Sequence, residues 1–264
     1  MRIATWNVNS LKARLERVEA WIAYAAPDVV CLQETKMADA AFPTMAFDAL
    51  GYESAHHGEG RWNGVAILSR VGMHDVVAGF CAGVEDPLVE SRIVSATCGG
   101  VRVSSVYVPN GRAVGTEHYE AKLAWLRALR GHVAASCEPS DDVVVCGDFN
   151  IAPDDRDVWN PKLAHGGTHV SEPERDELRA LLEWGMVDAF RTQHPEEGLF
   201  SWWDYRAGDF HKHHGMRIDL VLVSHPLAEL VTFALIDRNA RKGKAPSDHA
   251  PLVVDIDLDR RRSS

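Results

Sequence analysis

A strongly apolar run ends at two polar residues that could do chemistry. Residues 143–146 are four β-forming residues, and Gly147-Asp148-Phe149-Asn150 follows them directly. Residues two apart in an extended chain point to the same side, so Asp148 and Asn150 face one small volume. A carboxylate and a carboxamide there can bind a hard metal ion, position a water or accept its proton. The alternative is an Asx turn, in which both side chains only cap the chain reversal.

Polar residues stand at the ends of apolar runs along the whole chain, which favours a site over a turn. They are Asn7, Glu34, Tyr107, Asp148, Asn150, Asp219, Asp248 and His249. If these strands share one sheet system, their ends converge on one acidic pocket. Clustered carboxylates repel each other unless a cation or a shared proton relieves them, so the pattern predicts a hard divalent ion, Mg²⁺ or Mn²⁺. The candidate oxygen ligands are Asn7, Glu34, Asp148, Asn150 and Asp248.

His249 adds a group that exchanges protons near neutral pH, and Asp219 is the candidate to orient its ring. A metal, carboxylates and an oriented histidine together suit in-line hydrolysis of a phosphodiester. The metal offsets charge on the phosphoryl oxygens, a base activates water, and a donor stabilises the leaving or non-bridging oxygen.

The elements that must position these residues alternate between strands and helices. A βαβ unit is predicted from a strand at 2–6, a helix at 11–25 and a strand at 29–32, and it brings Asn7 and Glu34 to one sheet edge. Further strands are predicted at 52–56, 65–69, 93–98, 101–107, 143–146, 220–223 and 252–256, helices at 119–133 and 171–184, and loops at 154–168 and 206–215. We expect one α/β domain over residues 1–258 and a basic tail at 259–264.

Composition bounds the class of protein. The chain has 264 residues, 46% of them hydrophobic and 25% charged, which is ordinary for a soluble globular protein. The net charge of -10 argues against a broad nucleic-acid-coating surface but not against a nuclease, because carboxylates around a divalent ion count as negative. No apolar run approaches a membrane span and no signal peptide is evident. Five cysteines, two within apolar runs, favour free thiols and the cytoplasm.

Six motifs in one order resemble the exonuclease III family of AP (abasic-site) endonucleases. They are Trp6-Asn7-Val8-Asn9, Leu32-Gln33-Glu34-Thr35-Lys36, Tyr107-Val108-Pro109-Asn110-Gly111, Gly147-Asp148-Phe149-Asn150, Arg217-Ile218-Asp219 and Ser247-Asp248-His249-Ala250-Pro251. The resemblance implies a DNase I-like, four-layer α/β/β/α sandwich of two packed mixed sheets flanked by helices. It also implies a monomeric, Mg²⁺-dependent enzyme that cuts duplex DNA 5′ to abasic sites. Its other implied activities are 3′ to 5′ exonuclease and 3′-phosphodiesterase action on blocked 3′ ends.

The resemblance assigns roles residue by residue. Glu34 would be the main metal ligand with Asn7, Asp148, Asn150, Asp248 and His249 around the ion. Asp148 would orient or deprotonate the attacking water, or protonate the leaving oxygen, with Asn150 beside it. His249, paired with Asp219, would contact the scissile phosphate, and Tyr107 would hydrogen-bond it. The implied DNA contacts are Asn110 and Arg112, together with Trp202, Trp203 and Met216 around a pocket for the flipped-out sugar.

Several alternatives remain open. The chain could be another phosphodiesterase or phosphatase of the same superfamily, acting on RNA or a lipid headgroup, or a non-catalytic DNA-binding module. Tyr107, Trp202 and Trp203 could pack in the core rather than contact substrate. The histidines at 211, 213 and 214 could bind zinc, but a solvated loop is favoured because no cysteine motif accompanies them.

Overall fold

Two mixed sheets of six strands each form the centre of the protein over residues 1–263, which the computed structural model describes. The strands are β1 (Arg2–Asn7), β2 (Val29–Gln33), β3 (Glu53–His57), β4 (Val65–Ser69), β5 (Met73–Ala78), β6 (Ile93–Cys98), β7 (Val101–Tyr107), β8 (Val143–Asp148), β9 (Met186–Asp188), β10 (Asp219–Ser224), β11 (Val231–Ile236) and β12 (Leu252–Ile256). The first sheet has the order β11-β12-β1-β2-β4-β3, and the second has the order β5-β6-β7-β8-β10-β9. Only the pairs β1–β2 and β7–β8 of these ladders are parallel.

Helices cover the outer faces of both sheets. The α-helices are α1 (Leu11–Ala25), α2 (Thr44–Asp48), α3 (Glu117–Ser136), α4 (Pro161–Ala164), α5 (Glu172–Glu183), α6 (Ala189–Gln193), α7 (Asp209–Lys212) and α8 (His225–Ala228). Short 3-10 helices occur at Asp39–Ala41, Asp155–Asp157, Arg206–Gly208, Arg238–Arg241 and Leu258–Ser263. The predicted tail therefore begins as a 3-10 helix, while Ser264 and the side chains from 261 onward lie outside the described residues.

The core is arranged in three apolar layers. One fills the space between the sheets, one joins the first sheet to α1, and one joins the second sheet to α3 and α5. The alternation of side chains along each strand produces this division, because residues two apart share a face. Among the described residues, no helix combines the length and the apolar character that a membrane span needs. The predicted four-layer sandwich is confirmed.

Local prediction was accurate for most buried elements, but it missed the edge strands β5, β9 and β11 and treated two segments with short helices as loops. The predicted βαβ unit, the 93–107 hairpin and the helix opened by the Ser171 capping box are all present. Residues 154–168 and 206–215 contain short helices that were predicted as irregular loop. Asp154 caps the first of these turns and Asn160, followed by a proline, caps the next, so local capping chemistry was the overlooked signal.

Candidate active site

The candidate site lies at one end of the space between the sheets. In β1 the inward-facing row runs from Ile3 through Thr5 to Asn7, and in β8 it runs from Val144 to Asp148. The same rows that build the apolar core therefore end in the polar side chains of the site. Both polar ends are buried, because Asn7 is 0% and Asp148 2% exposed.

Strand register places three reactive side chains side by side. Asp148 of β8 pairs with Tyr107 of β7 on one side and with Asp219 of β10 on the other. Gly147, the residue before Asp148, permits a close approach to β7, since a Cβ there would lie 1.9 Å from the carbonyl oxygen of Val106. The end of the second sheet thus presents a phenol and two carboxylates on three neighbouring strands, with Asp148 in the middle.

A polar layer separates the apolar core from the site. Gln33 at the end of β2 is fully buried and donates to Thr5 Oγ1 at 3.0 Å and to Ser105 Oγ at 3.1 Å. These bonds join the two sheets just beneath Asn7 and Tyr107. Gln33 belongs to a motif quoted above, but its position in sequence gave no indication that it links the sheets.

Asn7 joins the carboxylates of Glu34 and Asp148. Its Nδ2 donates to Glu34 Oε1 at 2.8 Å and to Asp148 Oδ2 at 2.9 Å, while its Oδ1 accepts the Asn9 backbone N–H at 2.9 Å. The predicted meeting of Asn7 and Glu34 at one edge is therefore observed. Asn7 presents donor hydrogens rather than its oxygen to the carboxylates, so the geometry makes it a bridge between them.

Glu34 occupies a strained turn that two further residues support. Its φ is +52°, in the left-handed region, and its carbonyl accepts the Ser10 backbone N–H at 2.7 Å. Lys36 Nζ lies 2.8 Å from Glu34 Oε2 and donates to Asn9 Oδ1 at 2.6 Å. Asn9 and Lys36 are site residues that sequence reasoning quoted within motifs without giving them these contacts.

His249 is held between two carboxylates. Its Nδ1 lies 2.8 Å from Asp219 Oδ2, and its Nε2 lies 3.7 Å from Asp148 Oδ2. Burial alone would lower the pKa of His249, but Asp219 and Asp148 raise it to about 10. Burial raises the pKa of Asp148 to about 7, with Asp219 adding to the rise and His249 and Asn7 opposing it. The imidazole is therefore charged at neutral pH, and Asp148 exchanges protons there.

Asp248 lies apart from this group and has its own partners. Its Oδ1 accepts from Asn9 Nδ2 at 3.0 Å, and its Oδ2 accepts from Trp202 Nε1 at 3.1 Å. Burial would raise the pKa of Asp248, but His249 and these two donors lower it on balance. Asn9 and Lys36 connect Asp248 to Glu34 through a chain of contacts.

The predicted residues after β7 and β8 meet beside Asp148. Asn150, with φ +51°, donates its backbone N–H to Asp148 Oδ1 at 2.9 Å, and its Nδ2 donates to Val108 O at 2.9 Å. Asn110 Nδ2 in turn lies 3.3 Å from Asn150 Oδ1. The Asx-turn bond foreseen as an alternative is thus present within the site itself. Arg112 is exposed nearby, and its backbone N–H donates to Asn110 Oδ1 at 3.1 Å.

Tyr107 is half-buried, with its ring against the core and its hydroxyl toward the carboxylates. Burial raises the pKa of Tyr107 well above its usual value, and Glu34 and Asp148 raise it further. The guanidinium of Arg92 lies 4.8 Å from the ring centre. The phenol therefore remains a hydrogen-bond donor at physiological pH.

The two adjacent tryptophans point to opposite sides of an extended segment. Trp202 is half-buried at the site, where its backbone pairs with both Met216 and His249. Trp203 is 0% exposed and packs edge-on against Phe210, with ring centres 5.1 Å apart. The structure therefore brings Trp202 and Met216 to the site but does not bring Trp203 there, because its side chain fills a separate apolar cluster.

The site has the charge and the donor atoms for a cation. Ligand atoms of Asp148, Asp219 and His249 lie within 4.8 Å of one another, and Asp219 Oδ1 is buried without a hydrogen-bond partner. Glu34 adds oxygens on the other side of the Asn7 bridge. Within the described residues, His213 and His214 contact Gly198 O and the Trp159 ring respectively, and no metal-binding group includes them.

The sequence profile of the Endonuclease/Exonuclease/phosphatase family matches residues 4–249 of the chain. The chain belongs to this family. It is 35% identical to exodeoxyribonuclease III of Haemophilus influenzae over 97% of this chain and 100% of that protein. Its fold is similar to that of an AP endonuclease from Archaeoglobus fulgidus, with a TM-score of 0.94, 36% identity and coverage of 98% and 100%. It is also similar to the 3′ phosphatase NExo from Neisseria bound to a product DNA hairpin, with a TM-score of 0.93, 38% identity and coverage of 98% and 100%.

These relatives match essentially the whole chain. They confirm the predicted resemblance to the exonuclease III family and the predicted class of enzyme. The protein is a DNA repair nuclease with an acidic site suited to a divalent metal. The non-catalytic alternative is not supported by any of them.

Proposed function

We propose that the protein hydrolyses phosphodiesters of duplex DNA, cutting 5′ to abasic sites and removing nucleotides and blocking groups from 3′ ends. The observation that carries this proposal is the convergence of Glu34, Asp148 and the Asp219–His249 pair on one end of the sheets, joined by Asn7. A carboxylate cluster with a charged imidazole suits attack on a phosphate, which is itself negative and needs compensating charge.

The residues that would hold a Mg²⁺ ion, or Mn²⁺ in its place, are Glu34 first and the carboxylates across the Asn7 bridge. Their oxygen atoms match the preference of hard cations, and Asp219 Oδ1 is a buried acceptor atom without a hydrogen-bond partner. A divalent ion there would offset charge on the phosphoryl oxygens. We propose that Asp248 supports the Glu34 turn from outside the ion, because it accepts a hydrogen bond from Asn9, which in turn contacts Lys36.

We assign the transfer of the proton from the attacking water to Asp148. His249 is charged and held by Asp219, so its ring donates a hydrogen bond to a phosphoryl oxygen instead of accepting a proton. Asp148 lies against Nε2 of that ring and is aligned by the Asn150 backbone N–H, which leaves it able to take the proton of the attacking water. Tyr107 and the amides of Asn150 and Asn110 supply further donors toward the phosphate.

Trp202 and Met216 form one wall beside the charged group, and we propose that they border the space for an abasic sugar. Their backbones pair as an isolated bridge, and the Trp202 indole is fixed by Asp248 Oδ2. Arg112 is exposed after Asn110, and we propose that it contacts the DNA backbone. The five free cysteines fit a reducing compartment, and we propose a cytoplasmic monomer.

The relatives carry two different activities, an AP endonuclease and a 3′ phosphatase, so the experiment must separate them. We would incubate purified protein with three duplexes: one with a single abasic analogue, one with a 3′-phosphate at a nick, and one with an undamaged recessed 3′ end. Each is run with Mg²⁺, with Mn²⁺ and with EDTA, beside an RNA duplex and a phosphoinositide.

We expect metal-dependent cleavage of all three DNA substrates and none in EDTA. Release of the 3′-phosphate without incision at the abasic analogue would remove the endonuclease part of the proposal. Full activity in EDTA would exclude the metal, and preference for the RNA or the lipid would overturn the assignment to DNA.

A further inference from the structure

A buried ion pair lies directly behind the candidate site. Lys122 of α3 and Glu174 of α5 have completely buried side chains and form a salt bridge. Lys122 Nζ also donates to Asn150 O at 2.7 Å and lies 3.4 Å from Asn110 O. One ammonium group thus contacts the backbone of both asparagines whose side chains meet beside Asp148.

Glu174 organises the turn that covers the same backbone. Its Oε1 accepts the His169 backbone N–H at 3.0 Å and the Thr168 hydroxyl at 2.8 Å, and Oε2 accepts from Ser171. His169 is in the left-handed region, with φ +77°. Its ring lies 2.5 Å from Asn150 O through Nδ1 and 3.4 Å from Asn110 Nδ2 through Nε2. The carboxylate therefore controls a second set of contacts to the two asparagines.

The position of this pair is not explained by helix packing alone. Removing two charges from water costs several kcal/mol per ion, and an apolar pair of similar volume often holds two helices as well or better. Two inward-facing carbonyl oxygens, however, need donors when they are buried. Burial lowers the pKa of Lys122, which Glu174 opposes, and the pKa of Glu174 is lowered because Lys122 outweighs its burial.

We propose that the Lys122–Glu174 pair is a positioning device that fixes the Asn110 and Asn150 backbones so that their amides and Asp148 are aligned on the substrate phosphate. The inference rests on the proposed function for its kinetic part. Asn150 transmits the effect, because its backbone N–H holds Asp148 Oδ1 and its own conformation is left-handed. Lys122 and Glu174 touch no substrate and act through these neighbours.

The test replaces the charged pair by neutral groups of similar volume in the double variant Lys122→Met/Glu174→Gln. The matched control is Arg127→Ala/Glu177→Ala, which removes an exposed ion pair of 2.7 Å between the same two helices. Both are compared with wild type on the 3′-phosphate duplex in Mg²⁺, at a temperature where all three are folded.

We expect kcat of the double variant to fall about 10- to 100-fold, as for other groups that orient a ligand shell, with KM changed by less than about threefold. The control should retain kcat within about twofold. Side-chain amide signals of Asn110 and Asn150 in a ¹⁵N NMR spectrum should shift in the double variant and stay in place in the control.

Unchanged kcat and unchanged amide signals in the folded double variant would overturn the proposal. If that variant does not fold, Glu174→Gln alone, which retains volume and an acceptor oxygen, takes its place with the same two readouts. A wild-type protein without activity on DNA would defeat the proposed function, whereas the amide signals would still decide the positioning role.

Discussion

Single side chains at the site each serve more than one partner. Asn7 binds two carboxylates with one nitrogen and a backbone N–H with its oxygen, so its amide orientation is fixed from both ends. Asp148 accepts from Asn7 and from the Asn150 backbone, and it faces the His249 ring. Replacing Oδ2 of Asp148 by an amide nitrogen therefore removes the proton acceptor and the bond from Asn7, while Oδ1 can keep the bond from the Asn150 backbone.

We expect Asp148→Asn to lower the single-turnover rate by about 10²- to 10⁴-fold, the range for loss of a positioned acid or base. Affinity for abasic DNA should stay within a few-fold, since asparagine keeps the volume and an oxygen for the Asn150 N–H. Rates from quenched-flow gels and affinities from fluorescence anisotropy check this. Asp75→Asn, on the exposed edge strand β5, is the control. Equal rates in wild type and Asp148→Asn would exclude Asp148 from the reaction.

Strands and their ends determine where the reactive groups lie. β8 is central in its sheet, parallel to β7 and antiparallel to β10, and its final residue is Asp148. The approach to β7 at Gly147 leaves no space for a side chain. This strand end is therefore the place where backbone packing and chemistry depend on the same residue.

Gly147→Ala should destabilise the protein by about 3 kcal/mol or more, because the added Cβ would collide with the Val106 carbonyl and displace the strand. Gly131→Ala in α3 is the matched change. There the Cβ meets only Val84 at 3.9 Å, and alanine should stabilise the helix by about 0.5–1 kcal/mol. Urea unfolding followed by tryptophan fluorescence measures both. A neutral Gly147→Ala would contradict the packing described for β8.

The buried elements could be predicted from the sequence because their apolar periodicity is strong. The edge strands β5, β9 and β11 were missed, since β9 has only three residues and much of β5 and β11 is exposed without clean alternation. The convergence of Asn7, Glu34 and Asp148 was foreseen from strand ends and is observed. Lys122, His169 and Glu174 were not foreseen, because their contacts depend on how α3 and α5 pack against the site and not on local pattern.

The whole molecule joins two sheets whose shared core ends at the site. Residues from the first sheet and from the second meet there, with Gln33 as the polar link between them. The span of this core supports the proposed single domain over residues 1–258. Buried titratable groups also lie far from the site, and they make the stability of the entire fold depend on pH.

His132 of α3 is the clearest of these groups. Its Nδ1 accepts the Cys81 N–H at 2.9 Å and its Nε2 meets Ser95 Oγ at 3.2 Å, so the ring is neutral. Burial, with a smaller effect of Arg102, lowers its pKa to about 4. Between the unfolded pKa of about 6.5 and this value, only the unfolded chain binds the proton. The contribution of the neutral His132 ring to the free energy of unfolding is therefore fully present above pH 6.5 and is lost as the pH is lowered toward 4.

We expect protonation of His132 in the unfolded chain to lower the free energy of unfolding by about 1.4 kcal/mol for each pH unit across that window. Urea unfolding at several pH values between 6.5 and 4.5 measures the slope. His132→Gln should make the slope shallower by this amount, whereas His118→Gln, exposed on the same helix, should leave it unchanged. An identical slope in wild type and His132→Gln would show that the buried ring does not carry the effect.

The side-by-side placement of Tyr107, Asp148 and Asp219 makes residue count along β8 a determinant of chemistry. One residue inserted between 143 and 147 would turn the carboxylate toward α3 and present its neighbour to the phosphate, because successive residues face opposite sides of a sheet. Length changes elsewhere, as in the partly exposed loop between β5 and β6, carry no such inversion. The register of β8 therefore limits sequence variation at this end of the sheet as much as the identity of the residues does.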